Sequence, residues 1–203
     1  MTPLVVALVP WGFGPSPSAH AVDDGVVVQA RADAFSSGVA GGRGGIQASM
    51  ADRVTVGLEA VHGASWALCP DCRVSAVTGT ARVMAVNHPA FHAAMWGHGT
   101  ATLGVPEALA GVAVEGGSHD LRFDASTPLA STTFLLTTLR IGPEVGVMAR
   151  WSDTHATRLA VVGLEPGVGL QHRWHLASAI ELEPSLRLGE EGLGVGLAVR
   201  AKL

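Results

Sequence analysis

"LGVGLAVRAKL", the sequence from Leu193 to Leu203, alternates without a break and decides the predicted fold. Every second position holds leucine, valine or alanine, and the positions between hold glycine, alanine, arginine or lysine. A two-residue period of this length is typical of a β-strand with one apolar face. In hydrocarbon an open sheet edge leaves backbone groups unsatisfied, so this strand is expected to pair with another and close the sheet. We therefore predict that it is the closing strand of a barrel.

Similar alternating runs, separated by turn residues, fill the rest of the chain from Val22 onward. We count about twelve such runs and no extended 3.6-residue period. The clearest pair, Ile46–Met50 and Val54–Ala60, flanks a tight turn at Ala51-Asp52, which predicts a β-hairpin. Residues 127–142 stay unassigned, because their apolar run fits a strand, a short helix or a loop plug equally well.

Composition points in the same direction. The 203 residues include 26 glycines, only 15% are charged, and the mean hydropathy is +0.35. No apolar stretch approaches the ~20 residues of a membrane-spanning helix. High apolarity without a spanning helix favours an all-β fold, a closed antiparallel up-and-down transmembrane β-barrel of about 12 strands, with a range of about 8–12. The net charge of −4 gives no reason to expect nucleic acid as a partner.

The alternation assigns each strand residue to one of two faces. The predicted lumen-facing charges are Arg31, Glu59, Arg82, Glu115, Arg122, Asp124, Glu144, Arg150, Arg173, Glu181 and Glu183. The predicted lipid-facing residues are Val54, Val56, Leu58, Val112, Val114, Phe123, Val145, Val147, Trp151, Leu170, Trp174, Ile180, Leu182, Val195, Leu197, Val199 and Leu203. Charges of both signs on one face predict a lumen that is lined with ion pairs.

The first 21 residues read as an export signal. An apolar run from Pro3 to Phe13 is followed by a Pro/Ser-rich stretch and by Ala19-His20-Ala21, an A-x-A cleavage site. We expect residues 1–21 to be a cleaved secretory signal peptide and residues 22–203 to form a single barrel domain.

The export signal, the hairpin around Ala51-Asp52-Arg53 and the alternating final strand together resemble those of small bacterial outer-membrane β-barrel proteins. The resemblance covers most of residues 25–203 as a pattern. It implies location in the outer membrane of a Gram-negative bacterium, contact with outer-membrane lipid, and insertion by the barrel-assembly machinery, which reads the final strand. The rings available for the interfacial girdles are Trp66, Trp96, Trp151, Trp174 and a few phenylalanines.

Periodicity alone leaves a second fold open. A soluble exported β-sandwich or lipocalin-like binding protein alternates in the same way, but it would turn its apolar side chains inward and its charges toward water. The number of runs, the spacing of the turns and the terminal strand favour the membrane barrel. We expect it to be of structural, adhesive or narrow-pore type, with a polar lumen filled by side chains.

Few residues suggest chemistry, and no enzymatic activity or cofactor is predicted. Cys69 and Cys72 form one C-P-D-C, which in an exported protein predicts a loop-stapling disulfide. His92 and His98 are roughly 20 Å apart on one strand, too far for one metal ion. A hydrolase is a second alternative to the predicted barrel, and its candidate residues are Ser118, His119, His175 and Ser178.

Overall fold

The structure, a computed structural model, describes residues 24–65, 73–102, 106–131, 144–162, 167–189 and 192–203. These ranges contain twelve β-strands. The strands are β1 (Gly25–Phe35), β2 (Val39–Met50), β3 (Val54–Ser65), β4 (Arg73–His88), β5 (Phe91–Thr102), β6 (Pro106–Gly117), β7 (Leu121–Ser131), β8 (Glu144–Ser152), β9 (His155–Val162), β10 (Gly167–Ala177), β11 (Ile180–Gly189) and β12 (Gly192–Lys202). No helix among the described residues has the length and apolarity to cross a membrane.

Each strand pairs antiparallel with its neighbours in sequence, and β1 pairs with β12, so the sheet closes into a barrel. The closing register runs from Val27 opposite Lys202 to Phe35 opposite Gly194. The prediction of a closed up-and-down barrel with about twelve strands is therefore confirmed, and the final strand has the closing role that its alternation predicted.

The two ends of the barrel differ in their connections. At one end, here called the turn end, residues 51–53, 89–90, 118–120, 153–154 and 178–179 join the strands. In the first of these turns Ala51 and Asp52 have positive φ, and the Arg53 N–H donates to the Met50 carbonyl at 3.1 Å. The opposite end, the loop end, has connections of more varied length, from residues 190–191 and 36–38 to residues 66–72 and 132–143. The start of β1 and the end of β12 both lie at the turn end.

The barrel has an apolar outer face and a charged inner face. Large apolar side chains such as Leu58, Phe123 and Val195 are more than half exposed on the outside. Arg31, Glu59 and Glu183 are buried inside. Hydrogen bonds between strands that are not adjacent, such as Gln29 of β1 to Glu59 of β3, cross the interior. This polarity is opposite to that of a soluble sandwich or lipocalin-like barrel, so that alternative is wrong.

Some sequence predictions fall outside the described residues. They concern the signal peptide at residues 1–21, the Cys69/Cys72 disulfide and most of the unassigned segment 127–142. Of that segment, residues 127–131 are described, and they continue β7.

Candidate functional site: the lumen

All eleven predicted lumen charges lie on the inner face of the barrel. Arg31, Glu59, Glu115 and Glu183 are buried there, and the other seven are half-buried. The inner face also carries charges absent from the predicted set: Asp33, Arg43, Arg158, Arg187 and Arg200. Over the described strands, the inward-facing arginines outnumber the carboxylates.

Six of these residues form one continuous network, here called the charged wall: Arg31, Asp33, Arg173, Glu181, Glu183 and Arg200. They lie on β10, β11, β12 and β1, which are neighbours in the sheet. Arg200 Nη1 is 3.1 Å from Glu183 Oε2 and 3.7 Å from Glu181 Oε2. Arg31 is 3.7 Å from Glu183, and its Nε donates to Asp33 Oδ2 at 2.7 Å. Charge of alternating sign therefore runs along one side of the lumen.

The charged wall changes from accessible to sealed along its length. Near the turn end, the side chains of Arg173, Glu181 and Arg200 are 26–30% exposed. Farther along, those of Arg31, Asp33 and Glu183 are only 2–5% exposed. The lumen is therefore accessible to solvent at the turn end, in a part here called the vestibule, and its charged side chains become buried toward the middle of the barrel.

Separate ion-pair clusters join neighbouring strands elsewhere on the inner face. Arg158 of β9 donates to both Asp124 of β7 and Glu144 of β8. Arg122 Nη1 donates to Glu115 Oε1 at 2.6 Å. These pairs satisfy charges that would otherwise be costly to place in a confined interior.

The third cluster, Gln29, Arg43 and Glu59, packs against a glycine of β2. Glu59 accepts from Gln29 and lies 3.4 Å from Arg43 Nη1. A Cβ at Gly45 would approach Glu59 Cγ and the Leu58 carbonyl oxygen to 2.6 Å, so only glycine leaves room for this carboxylate.

An apolar cluster fills the part of the lumen next to β4, β5 and β6. It consists of Met84, Ala94, Trp96, Leu109 and Ala113, all buried. The Trp96 indole lies over Gly111, where a Cβ would collide with the ring, and stacks on His98 at 5.8 Å. Trp96 was counted among the rings available for a membrane girdle, but the structure corrects this, because Trp96 faces inward and is 8% exposed. The sequence carries a signal for this inward orientation, because Trp96 lies on the same face of the strand as His92 and His98, an even number of residues from each.

The outer face carries the predicted lipid-facing residues. Thirteen of the seventeen are exposed there, and Val54, Val112, Val147 and Leu182 are half-buried on the same face. Near the turn end, Trp174 packs against His155 and His172, and Trp151 Nε1 donates to Thr157 Oγ1 at 2.9 Å. Rings with polar tips at this depth are typical of a membrane interface.

The hydrolase candidates are not brought together. Ser118 and His119 lie in the β6–β7 turn, where Ser118 Oγ accepts the Leu121 N–H. His175 pairs with Glu181 at 3.1 Å inside the barrel, and Ser178 lies in the β10–β11 turn. A serine–histidine pair that the sequence analysis missed, His62 Nδ1 and Ser75 Oγ at 2.8 Å, lies on the outer face. In the described part of the chain no hydrogen bond joins His62 to a carboxylate.

The histidine group at residues 88–98 does not form a metal site. His88 Nδ1 accepts the Ala90 N–H at 3.2 Å in a turn, whereas His92 and His98 face the lumen. Within the described ranges no cluster of three or more histidine, cysteine or acidic residues could hold a metal ion.

Solved structures with this architecture are outer-membrane proteins. The KdgM porin in complex with disordered oligogalacturonate has a TM-score of 0.69 and 8% identity, covering 87% of this chain and 99% of that one. The NanC porin has a TM-score of 0.64 and 9% identity, covering 88% and 100%. Outer membrane phospholipase A from Escherichia coli has a TM-score of 0.53 and 6% identity, covering 97% and 96%. No protein-family model and no curated protein sequence matches the chain.

The chain has the fold of a bacterial outer-membrane β-barrel. The sequence-based resemblance is confirmed at this level. The exposed valine and leucine side chains around a charged lumen require hydrocarbon outside the barrel. The protein is therefore located in the outer membrane of a Gram-negative bacterium. The porin-like architecture agrees with that location.

Proposed function

We propose that the protein is a narrow channel for small hydrophilic solutes, with no catalytic activity of its own. The observation that supports this most directly is the charged wall, which runs inside a closed barrel from an accessible vestibule to mid-lumen. Charged side chains that run from an accessible end to the middle of the lumen suit the passage of hydrophilic solutes, which a structural or adhesive barrel does not require. Two of the similar solved structures are porins by name.

The width of the path is set by two opposing surfaces. Arg31, Asp33 and Glu183 line one side, and the Trp96 cluster fills the opposite side. A barrel of about twelve strands has a lumen between that of a side-chain-filled barrel of about eight and that of a wide porin of about sixteen. We therefore expect low conductance and a sharp size limit.

Single-channel recording tests the proposal with a matched pair of variants. Trp96→Ala removes an inward ring, whereas Trp151→Ala removes a ring that is 72% exposed on the outer face. We expect small, discrete current steps from the wild-type protein in planar bilayers, larger steps from Trp96→Ala and unchanged steps from Trp151→Ala. If neither the wild type nor Trp96→Ala carries current, the role is structural or adhesive instead.

Two partners belong to the same proposal. The exposed apolar belt is proposed to contact outer-membrane lipid, and β12 is proposed to be the segment that the barrel-assembly machinery reads. Depletion of that machinery would then leave the chain unfolded in the periplasm, as protease sensitivity would detect. Normal assembly after depletion would contradict this.

A further inference from the structure

Arg43 lies on an unusually bare part of the lumen wall. It is the centre of Gly41-Gly42-Arg43-Gly44-Gly45, so its inward-facing neighbours along β2 are glycines. Across the sheet its direct partner on β1 is Arg31, a like charge in register. Like charges at opposed positions repel each other, unless a counter-charge lies between or beside them.

The two arginines differ in how far their donors are used. Arg31 donates twice to Asp33 Oδ1 and once to Asp33 Oδ2, and also donates to Ser185 Oγ at 2.8 Å. Arg43 has one long contact, Nη1 to Glu59 Oε2 at 3.4 Å, although its side chain is only 6% exposed. Its Nε is buried and has no hydrogen-bond partner. A guanidinium with an unused, buried donor can form a further charge-assisted hydrogen bond to an anion.

Arg187 of β11 also has unused hydrogen-bond donors, and like Arg43 it lies in the half of the barrel nearer the loop end. It forms no hydrogen bond or ion pair with any residue of the described ranges, and its register partners on β10 and β12 are Gly169 and Gly194. Two arginines, Arg31 and Arg43, and two carboxylates, Asp33 and Glu144, lie within its electrostatic range, but neither carboxylate is within ion-pair distance of it. An inward-facing cation without a protein partner is costly in a confined lumen, and a bound anion removes that cost.

We propose that Arg43 and Arg187 form an anion-binding site in the lumen, in the half nearer the loop end. Planar guanidinium groups suit ligands with two oxygens on one centre, so the site is expected to take carboxylate, sulfate or phosphate groups of small solutes. Glu59 meets only one donor of Arg43, through Oε2 at 3.4 Å, and leaves the Arg43 Nε without a partner. As far as transport is concerned, the inference rests on the proposed channel function, and it makes anionic solutes the favoured cargo.

The first test measures binding without conduction. Sulfate is added to the folded protein in detergent, and the temperature at which the folded band disappears on a gel is recorded for the wild type, Arg43→Gln and Arg187→Gln. Arg150→Gln is the matched control, because Arg150 is also inward-facing and makes no ion pair with a described residue, but it lies near the turn end on β8. General salting-out by sulfate affects all variants alike.

We expect sulfate to stabilise the wild type and Arg150→Gln with the same half-saturating concentration. In Arg43→Gln and Arg187→Gln that concentration should rise about tenfold, the factor for losing one charge-assisted hydrogen bond. Arg187→Lys keeps the positive charge but loses the planar, two-pronged donor geometry of the guanidinium, so its half-saturating sulfate concentration should lie between those of the wild type and Arg187→Gln. Equal sulfate responses in all variants would overturn the site, with sulfate then acting only through salting-out.

The second test separates the site from the channel. Under a potassium chloride gradient, the wild-type reversal potential should indicate chloride preference, and the Arg43→Gln/Arg187→Gln double variant should lose most of it. Current without chloride preference, or with a preference that the double variant keeps, overturns the inference and leaves the channel standing. Absence of current in all variants overturns the channel, and the sulfate measurement alone then decides the site.

Discussion

Leu193 and Leu197 lie on the same outer face of β12 and are almost equally exposed, at 49% and 47%. Leu197 is near the middle of the strand, whereas Leu193 is next to its loop end. Arginine on the lipid face costs about 2–4 kcal/mol at the midplane and about 0–1 kcal/mol near an interface. We therefore expect Leu197→Arg to lose far more stability than Leu193→Arg.

Urea-dependent folding into lipid vesicles measures both variants. Tryptophan fluorescence reports the transition, and the difference between the midpoints gives the depth dependence. If both substitutions lower the free energy of unfolding by the same small amount, hydrocarbon does not contact the middle of β12.

Gly45 tests the packing of the inner face. An added methyl group must displace Glu59 or the β3 backbone, both 2.6 Å from the ideal Cβ position, whereas at Gly79 nothing lies within 4 Å. We expect Gly45→Ala to cost about 1–3 kcal/mol, the usual cost of overpacking. Gly79→Ala should cost nothing, since its backbone position accepts alanine, and the same urea titration compares the two. A neutral Gly45→Ala would show that Glu59 can leave its position freely.

At the scale of elements, Arg158 connects three consecutive strands. It bridges Asp124 of β7 and Glu144 of β8 from β9. Removing one partner of a largely buried cluster leaves uncompensated charge, so we expect Arg158→Met to cost about 3 kcal/mol. The triple variant Arg158→Met/Asp124→Asn/Glu144→Gln should recover most of that loss in the same unfolding assay. If the single variant is as stable as the wild type, water in the lumen already screens these charges.

The hairpins show what local sequence can predict. Alternation and turn residues located the β2–β3 turn to within a residue, because a tight turn couples two strands that are adjacent in sequence. They underestimated the length of both strands, since β2 begins at Val39 and β3 ends at Ser65. The run Phe134-Leu135-Leu136 resisted assignment because a short apolar run lacks a period that separates strand from helix. Arg158, Arg187 and Arg200 were missed even though each lies on the parity opposite to neighbouring apolar residues, the same signal that identified Arg173.

At the scale of the whole molecule, barrel closure predicts a cooperative, heat-modifiable protein. The β1–β12 pairing leaves the described sheet with no free edge, so that the barrel should resist detergent until heated. We expect unheated samples to migrate faster on detergent gels than boiled ones, and the protein to fractionate with outer membranes. Recovery with soluble periplasmic contents would contradict the membrane location.

The sequence by itself determined which side chains share a face, because the two-residue period of a strand is a local property. It also determined the approximate number of strands, since each turn is marked by its own residues. Only the tertiary structure decided which charges meet, because Arg31 and Ser185 are 154 residues apart and come together only when β12 pairs with β1. It likewise decided that Arg43 and Arg187 keep unused donors, since that depends on the partners that register brings into reach across a closed lumen.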